Sequence, residues 1–142
     1  MLRNVLRFVT ALAVAIFAMV AIPTTTFAGT PDEDAFKELL VKQSPWDVSW
    51  ENQSGAKGTH KLRFKKDGAA LSGEFFGSDR GSADLPLKNL TVTSSCVKFI
   101  TGQNPRTYNY CLKDGILTGD YEGQSRSGNW YTGKATGKPT GK

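Results

Sequence analysis

The chain has 142 residues, 39% of them apolar, 22% charged and 11% aromatic, a balance that excludes a disordered chain and leaves room for one domain. Its net charge is +5, with 18 basic residues against 13 acidic ones spread among them, too mild for the basic footprint of a nucleic-acid binder.

Residues 1–28 read as a secretory signal peptide. Arg3 and Arg7 form a positive start, an apolar run from Phe8 to Ile22 is interrupted by Thr10, and Thr26-Phe27-Ala28 fits a cleavage site. The run is shorter than the ~20 residues of a spanning helix, so no stable membrane anchor is expected after cleavage. Removing this segment leaves 114 residues with 16 basic against 13 acidic groups, a net of +3. The expected location is the periplasm or the extracellular space.

Residues 29–44 hold the one expected helix. Thr30, Pro31 and Glu33 make a capping box with proline in the first turn. Phe36, Leu39 and Leu40 share one face, which must dock on the rest of the domain, and Ser44-Pro45 ends the helix.

From Trp46 the pattern changes to period two. Trp46, Val48 and Trp50 alternate with polar residues, as do Leu62 and Phe64, and a third strand is expected over 71–76. Asp67-Gly68 and Asp114-Gly115 are turn signals. Residues 79–84 read as a polar loop. Further strands are expected over 85–93, 97–100, 107–112, 116–121 and from Trp130 to Ala135, making eight. Pro86 suits a strand start or an edge. A barrel domain over 45–136 is therefore expected, followed by a loose basic tail over 137–142. Residues 66–77 and 113–123 repeat one turn-then-strand pattern, each with a mid-strand glycine, Gly73 and Gly119. Such glycines relieve crowding where a sheet coils.

Two cysteines in an exported chain suggest one disulfide. Pairing Cys96 directly with Cys111 sets Val97 opposite Tyr110 and Phe99 opposite Tyr108, so four apolar groups share one face and the disulfide lies on the other.

Catalytic patterns are sparse. His60 is the single histidine, no cluster has metal-ligand spacing, and neither a phosphate loop nor a G-x-S-x-G elbow is present. No cofactor is implied. Glu74 and Asp120 hold equivalent repeat positions, but alternation points both outward, which argues against a glycosidase pair. Lys61, Arg63, Lys65 and Lys66 form a basic strip that reads as a solvated strand face. The inward positions are mostly aromatic: Trp46, Trp50, Phe64, Phe75, Phe99, Tyr108, Tyr110 and Tyr121. Eight strands close a barrel that side chains fill or that holds one small ligand. Both outcomes stay open.

The segment from Trp46 to Ala135 resembles small exported calycin-type barrels, the group of lipocalins and avidins. Trp50-Glu51-Asn52-Gln53-Ser54-Gly55 is similar to the W-x-N-x-x-G opening of avidins, and Ala70-Leu71-Ser72-Gly73-Glu74-Phe75 to a later L-T-G-x-Y strand. The resemblance implies a ligand-contacting position at Asn52. Ala56 and Phe75 depart from the avidin pattern, and biotin binding is not implied.

These readings lead to an all-β, eight-stranded antiparallel meander or barrel preceded by one short helix. The expected function is a non-enzymatic module binding a small apolar or sugar-like ligand through Trp50, Asn52, Tyr108 or Tyr121. The alternative is a filled barrel that captures or inhibits an exported protein partner through loops carrying Arg80 and Arg126.

Overall fold

The structure is a computed structural model that describes residues 31–102 and 105–140. The expected signal peptide, residues 1–28, lies outside the described residues. Helix α1 spans Pro31–Lys42, and nine strands follow: β1 Trp46–Asn52, β2 Lys57–Asp67, β3 Ala70–Phe76, β4 Leu85–Pro86, β5 Lys88–Thr93, β6 Cys96–Thr101, β7 Arg106–Lys113, β8 Ile116–Gln124 and β9 Trp130–Pro139.

All pairings are antiparallel, and the sheet order is β4-β3-β2-β1-β9-β8-β7-β6-β5. The chain is thus a meander whose first and last strands pair, curling the sheet into a nearly closed barrel. Its two edges, β4 and β5, are consecutive in sequence and separated by Leu87 alone. The Leu87 N–H donates to the Gly73 carbonyl at 2.9 Å, so one bent segment bonds to β3 on one side and to β6 on the other.

This bend corrects the expected strand over 85–93: the described residues form nine strands, not eight. Pro86 offers no N–H to a ladder, Asn89 has a left-handed φ of 50°, and the β5–β6 register shifts between Lys88 and Thr91. The expected loose tail is corrected too. Gly137, Lys138 and Pro139 pair with Val48, Asp47 and Trp46, and the Thr140 N–H donates to the Pro45 carbonyl. Gly137 sits against Leu117 and Val48, so the small residues that suggested a tail are fitted to a crowded wall.

Alternation sends one set of side chains into the lumen. Trp46, Val48, Leu62, Phe64, Phe75, Val97, Phe99, Tyr108, Tyr110, Leu117 and Tyr121 are buried there. The rings form a continuous column: Phe64 meets Phe99, which stacks on Tyr108 at 5.2 Å, and Tyr108 stacks on Tyr121 at 5.5 Å. Glycines make room for this much aromatic volume. Gly58, Gly123 and Gly133 pair with Trp50, Tyr131 and Tyr121, and the partner ring occupies the space a Cβ would take. The lumen is therefore filled.

Helix α1 closes one end of it. Phe36 and Leu40 are buried, the Trp46 Nε1–H donates to the Leu40 carbonyl at 3.0 Å, and Ser44 Oγ bridges Leu40 O to the Phe64 N–H. Connections at this end are short: residues 68–69, 94–95 and 114–115, two each. At the opposite end they are residues 53–56, 77–84, 102–105 and 125–129, of four, eight, four and five residues.

The Cys96–Cys111 disulfide forms, and β6 pairs with β7 in the register it implied, Val97 opposite Tyr110 and Phe99 opposite Tyr108.

Candidate functional site at the open mouth

The long connections surround the mouth opposite α1. Long surface loops on a rigid frame are where binding groups are usually carried. Two adjoining hollows open there, of about 490 and 300 Å³. They share Ser82, Arg106 and Arg126. The larger adds Trp50, Asn52, Tyr121, Gln124 and Tyr131, and the smaller adds Phe75, Leu85 and Thr101.

Arg106 is the centre of this site. It begins β7 opposite Gly123, which in turn pairs with Tyr131 of β9. With no side chain on Gly123, Arg106 and Tyr131 meet above it, and Arg106 Nε donates to the Tyr131 hydroxyl at 2.6 Å. Half-burial works against the guanidinium charge, but the Tyr108 and Tyr131 phenols support it, so its pKa is raised above the ordinary arginine value. Tyr121 is pushed up to about 12, by burial first and the neighbouring Tyr108 second, with the Arg106 charge opposing. Both groups hold their ordinary charge states across physiological pH.

His60 lies in the core near Arg106. It is 2% exposed, stacks on Phe75 at 4.3 Å and meets Tyr108 edge-on at 5.9 Å. Burial and the Arg106 charge lower its pKa to about 4, against a smaller opposing effect of Asp79. It is a neutral imidazole, and neither ring nitrogen has a hydrogen-bond partner among the described residues.

The expected ligand-contacting residues divide. Trp50, Asn52 and Tyr121 line the larger hollow together. Tyr108 does not: it is buried beneath, within the ring column. Asn52 Oδ1 already accepts from Ser54 N, Ser54 Oγ and Ala56 N, organising the β1–β2 turn in which Gly55 has a φ of 82°. The W-x-N-x-x-G likeness therefore coincides with a hairpin turn, which accounts for the Asn and the Gly without a ligand. The two expected loop arginines both reach this end of the barrel. Arg126 lines both hollows; the Arg80 guanidinium lies 5.5 Å from the Trp50 ring and donates to the Lys57 carbonyl.

Arg106 and Tyr131 were not singled out by the sequence reading. The signal existed: Arg106 shares the strand parity of Tyr108 and Tyr110, so extending the same register by one step points it inward.

Elsewhere several charged groups are paired. Lys61, Arg63 and Lys66 pair with Asp47, Glu74 and Glu38, which accounts for most of the basic strip. Asp120 lies on the outer face beside Lys134, well apart in the fold from Glu74 on β3. A groove of about 640 Å³ crosses that outer face, lined by Glu51, Lys98, Asp120, Glu122 and Lys134 among others. There charges of opposite sign alternate from strand to strand, Glu51 beside Lys134 and Lys134 beside Asp120. Acids and bases are interleaved along that groove, whereas the hollows of the mouth are lined by arginines without acids.

No protein family matches the chain, and no curated protein does. A solved structure of a redesigned β-barrel is similar to it, with a TM-score of 0.55, 15% identity, and coverage of 74% of this chain and 95% of that one. The fold is a β-barrel. At that identity the likeness speaks for the fold alone, and it is compatible with the calycin-type resemblance of the sequence.

Proposed function

We propose that the protein is an exported, non-enzymatic binding module that takes a small ligand with a flat apolar or sugar-like body at the open mouth of its barrel. The observation that carries this reading is the asymmetry of the two ends. Helix α1 and two-residue turns close one end, while the other has long loops and hollows edged by Trp50, Tyr121 and Tyr131. Partly exposed rings such as Trp50 and Tyr131 stack on flat ligands. Because the lumen is filled, the ligand rests on the column rather than within it. Export is supported by the disulfide, which persists in oxidising compartments. No helix among the described residues is long and apolar enough to cross a membrane.

The test is native mass spectrometry of the protein purified gently from its own host, followed by Trp fluorescence titration with the mass recovered. A bound small mass lost on denaturation, with a response abolished in Trp50→Phe, is expected. Bare protein accompanied by a second protein would overturn the reading. That outcome would favour capture of a partner through the loops, a second reading supported by Trp130. This residue is 68% exposed and adjoins the 125–129 loop that carries Arg126. Tryptophan and arginine are common anchors of protein interfaces.

A further inference from the structure

We infer that the ligand of the mouth is a small organic carboxylate, its anionic head held by Arg106 with Arg126 at the rim and its flat body against the Trp50 and Tyr121 rings. This rests on the mouth being the binding site and adds the charge of what binds there.

The first observation is a contrast among the arginines. Arg63, on the outer face, has a carboxylate partner in Glu74. Among the described residues, the arginines of the mouth, Arg80, Arg106 and Arg126, have none. The second observation is the composition of the hollows: the linings contain Arg106 and Arg126 and no aspartate or glutamate. The acids nearest this end are placed elsewhere. Asp79 lies over Gly58 beside the Trp50 ring, and Asp84 accepts from the Gly77 N–H.

Arg106 is the decisive group because it is half-buried. This guanidinium is half-withdrawn from water and is held by phenols, with no carboxylate to balance its charge. An anion arriving from solution supplies the missing partner. Arginine suits a carboxylate better than a point charge would, since its planar fork meets two oxygens at once. The Tyr131 hydroxyl accepts from Nε at 2.6 Å, which restrains the fork and leaves its terminal nitrogens to meet the carboxylate. His60 is neutral, so the positive field of the site belongs to the arginines.

The experiment compares two probes with the same ring and different charge, 2-naphthoate and 2-naphthamide, by titration calorimetry on the full chain. Naphthoate is expected to bind at least about tenfold more tightly, the scale of one charge-assisted hydrogen-bonded pair. Arg106→Met should bring the two probes to within about twofold of each other, Arg106→Lys should restore part of the preference, and Arg126→Gln should reduce it several-fold. Equal affinity of the two probes for the unaltered protein overturns the anion inference while leaving the mouth as a site. Binding of neither probe at millimolar concentration overturns both. A tenfold preference that survives Arg106→Met places the anion elsewhere and overturns the assignment. Should Arg106→Met fail to fold, Arg106→Lys decides the assignment: a preference reduced below that of the unaltered protein supports it, and an undiminished one overturns it.

Discussion

Gly119→Ala is expected to be among the most destabilising single-methyl additions to this barrel. Gly119 pairs with Tyr110 on β7 and with Ala135 on β9, so backbone flanks it on both sides. A Cβ built there would overlap the Asn109 carbonyl oxygen and lie 2.8 Å from both the Asn109 carbonyl carbon and Tyr110 Cα. No rotamer change relieves a clash with backbone, so the two strands must separate locally and loosen their ladder. Overpacking typically costs 1–3 kcal/mol, and a clash with backbone belongs at the upper end, about 3 kcal/mol. With a urea m-value of about 1.5 kcal/mol/M, the unfolding midpoint falls by about 2 M. Gly137→Ala is the control, because its Cβ would approach side chains, Leu117 Cβ at 3.3 Å and Val48 Cγ2 at 3.4 Å. Those atoms can yield by a few tenths of an ångström, and the expected midpoint shift is below about 0.5 M. Equal shifts for the two variants, or a Gly119→Ala midpoint within about 0.3 M of the parent, would refute the account of glycine as space for a neighbouring strand.

Three further outcomes are expected. Replacing Cys96 and Cys111 together by alanine opens a loop with a sequence separation of 15, and the chain-entropy argument gives a loss of about 3 kcal/mol, read as a lower urea midpoint. His60 titrates near 4 when folded and near 6.5 when unfolded, so the unfolded chain binds the proton first as pH falls. Stability is then complete above about pH 6.5 and declines toward pH 4, by about 3 kcal/mol in all, a slope that should be largely absent from His60→Leu in parallel urea titrations. Asn52→Ala removes an oxygen that accepts from Ser54 N, Ser54 Oγ and Ala56 N; a stability loss of about 1–2 kcal/mol is expected, and an unchanged midpoint would show that the turn does not depend on it.

The parts of the fold that could be read from sequence were those fixed by local periodicity or a covalent tie. The disulfide set the β6–β7 register, and alternation from that point correctly directed Tyr108 and Phe99 inward. The helix was legible because its start, apolar face and Ser44-Pro45 stop agree within sixteen residues, and α1 spans Pro31–Lys42. What failed was set by distant parts of the chain. The break at Leu87 depends on two separate strands, β3 and β6, each taking half of one segment. The last residues of β9 look like a tail in composition, and they are a strand because Trp46, Asp47 and Val48 stand opposite. The mouth was partly legible: parity identified rings, but the meeting of Arg106 with Tyr131 requires β7 and β9 to lie on either side of Gly123.

The same glycines that let the lumen fill also decide where binding can occur. In a barrel of this size, each inward glycine exchanges a side chain's volume for a ring reaching over from the next strand. Gly58 and Gly133 draw Trp50 and Tyr121 across the wall in this way, and the two rings meet edge-on at 6.1 Å. Gly123 applies the device one step nearer the rim, and the groups it brings together are a hydroxyl and a cation, not two rings. The interior therefore changes character along its axis, from apolar contact at Leu40 and Trp46, through stacked phenols, to an unpaired guanidinium at the loops. A neutral apolar ligand would use the rings and leave that guanidinium without an anion. A carboxylate with a flat body uses both, which is why the charge of the ligand, more than its size, is the sharper test of what this mouth is built to hold.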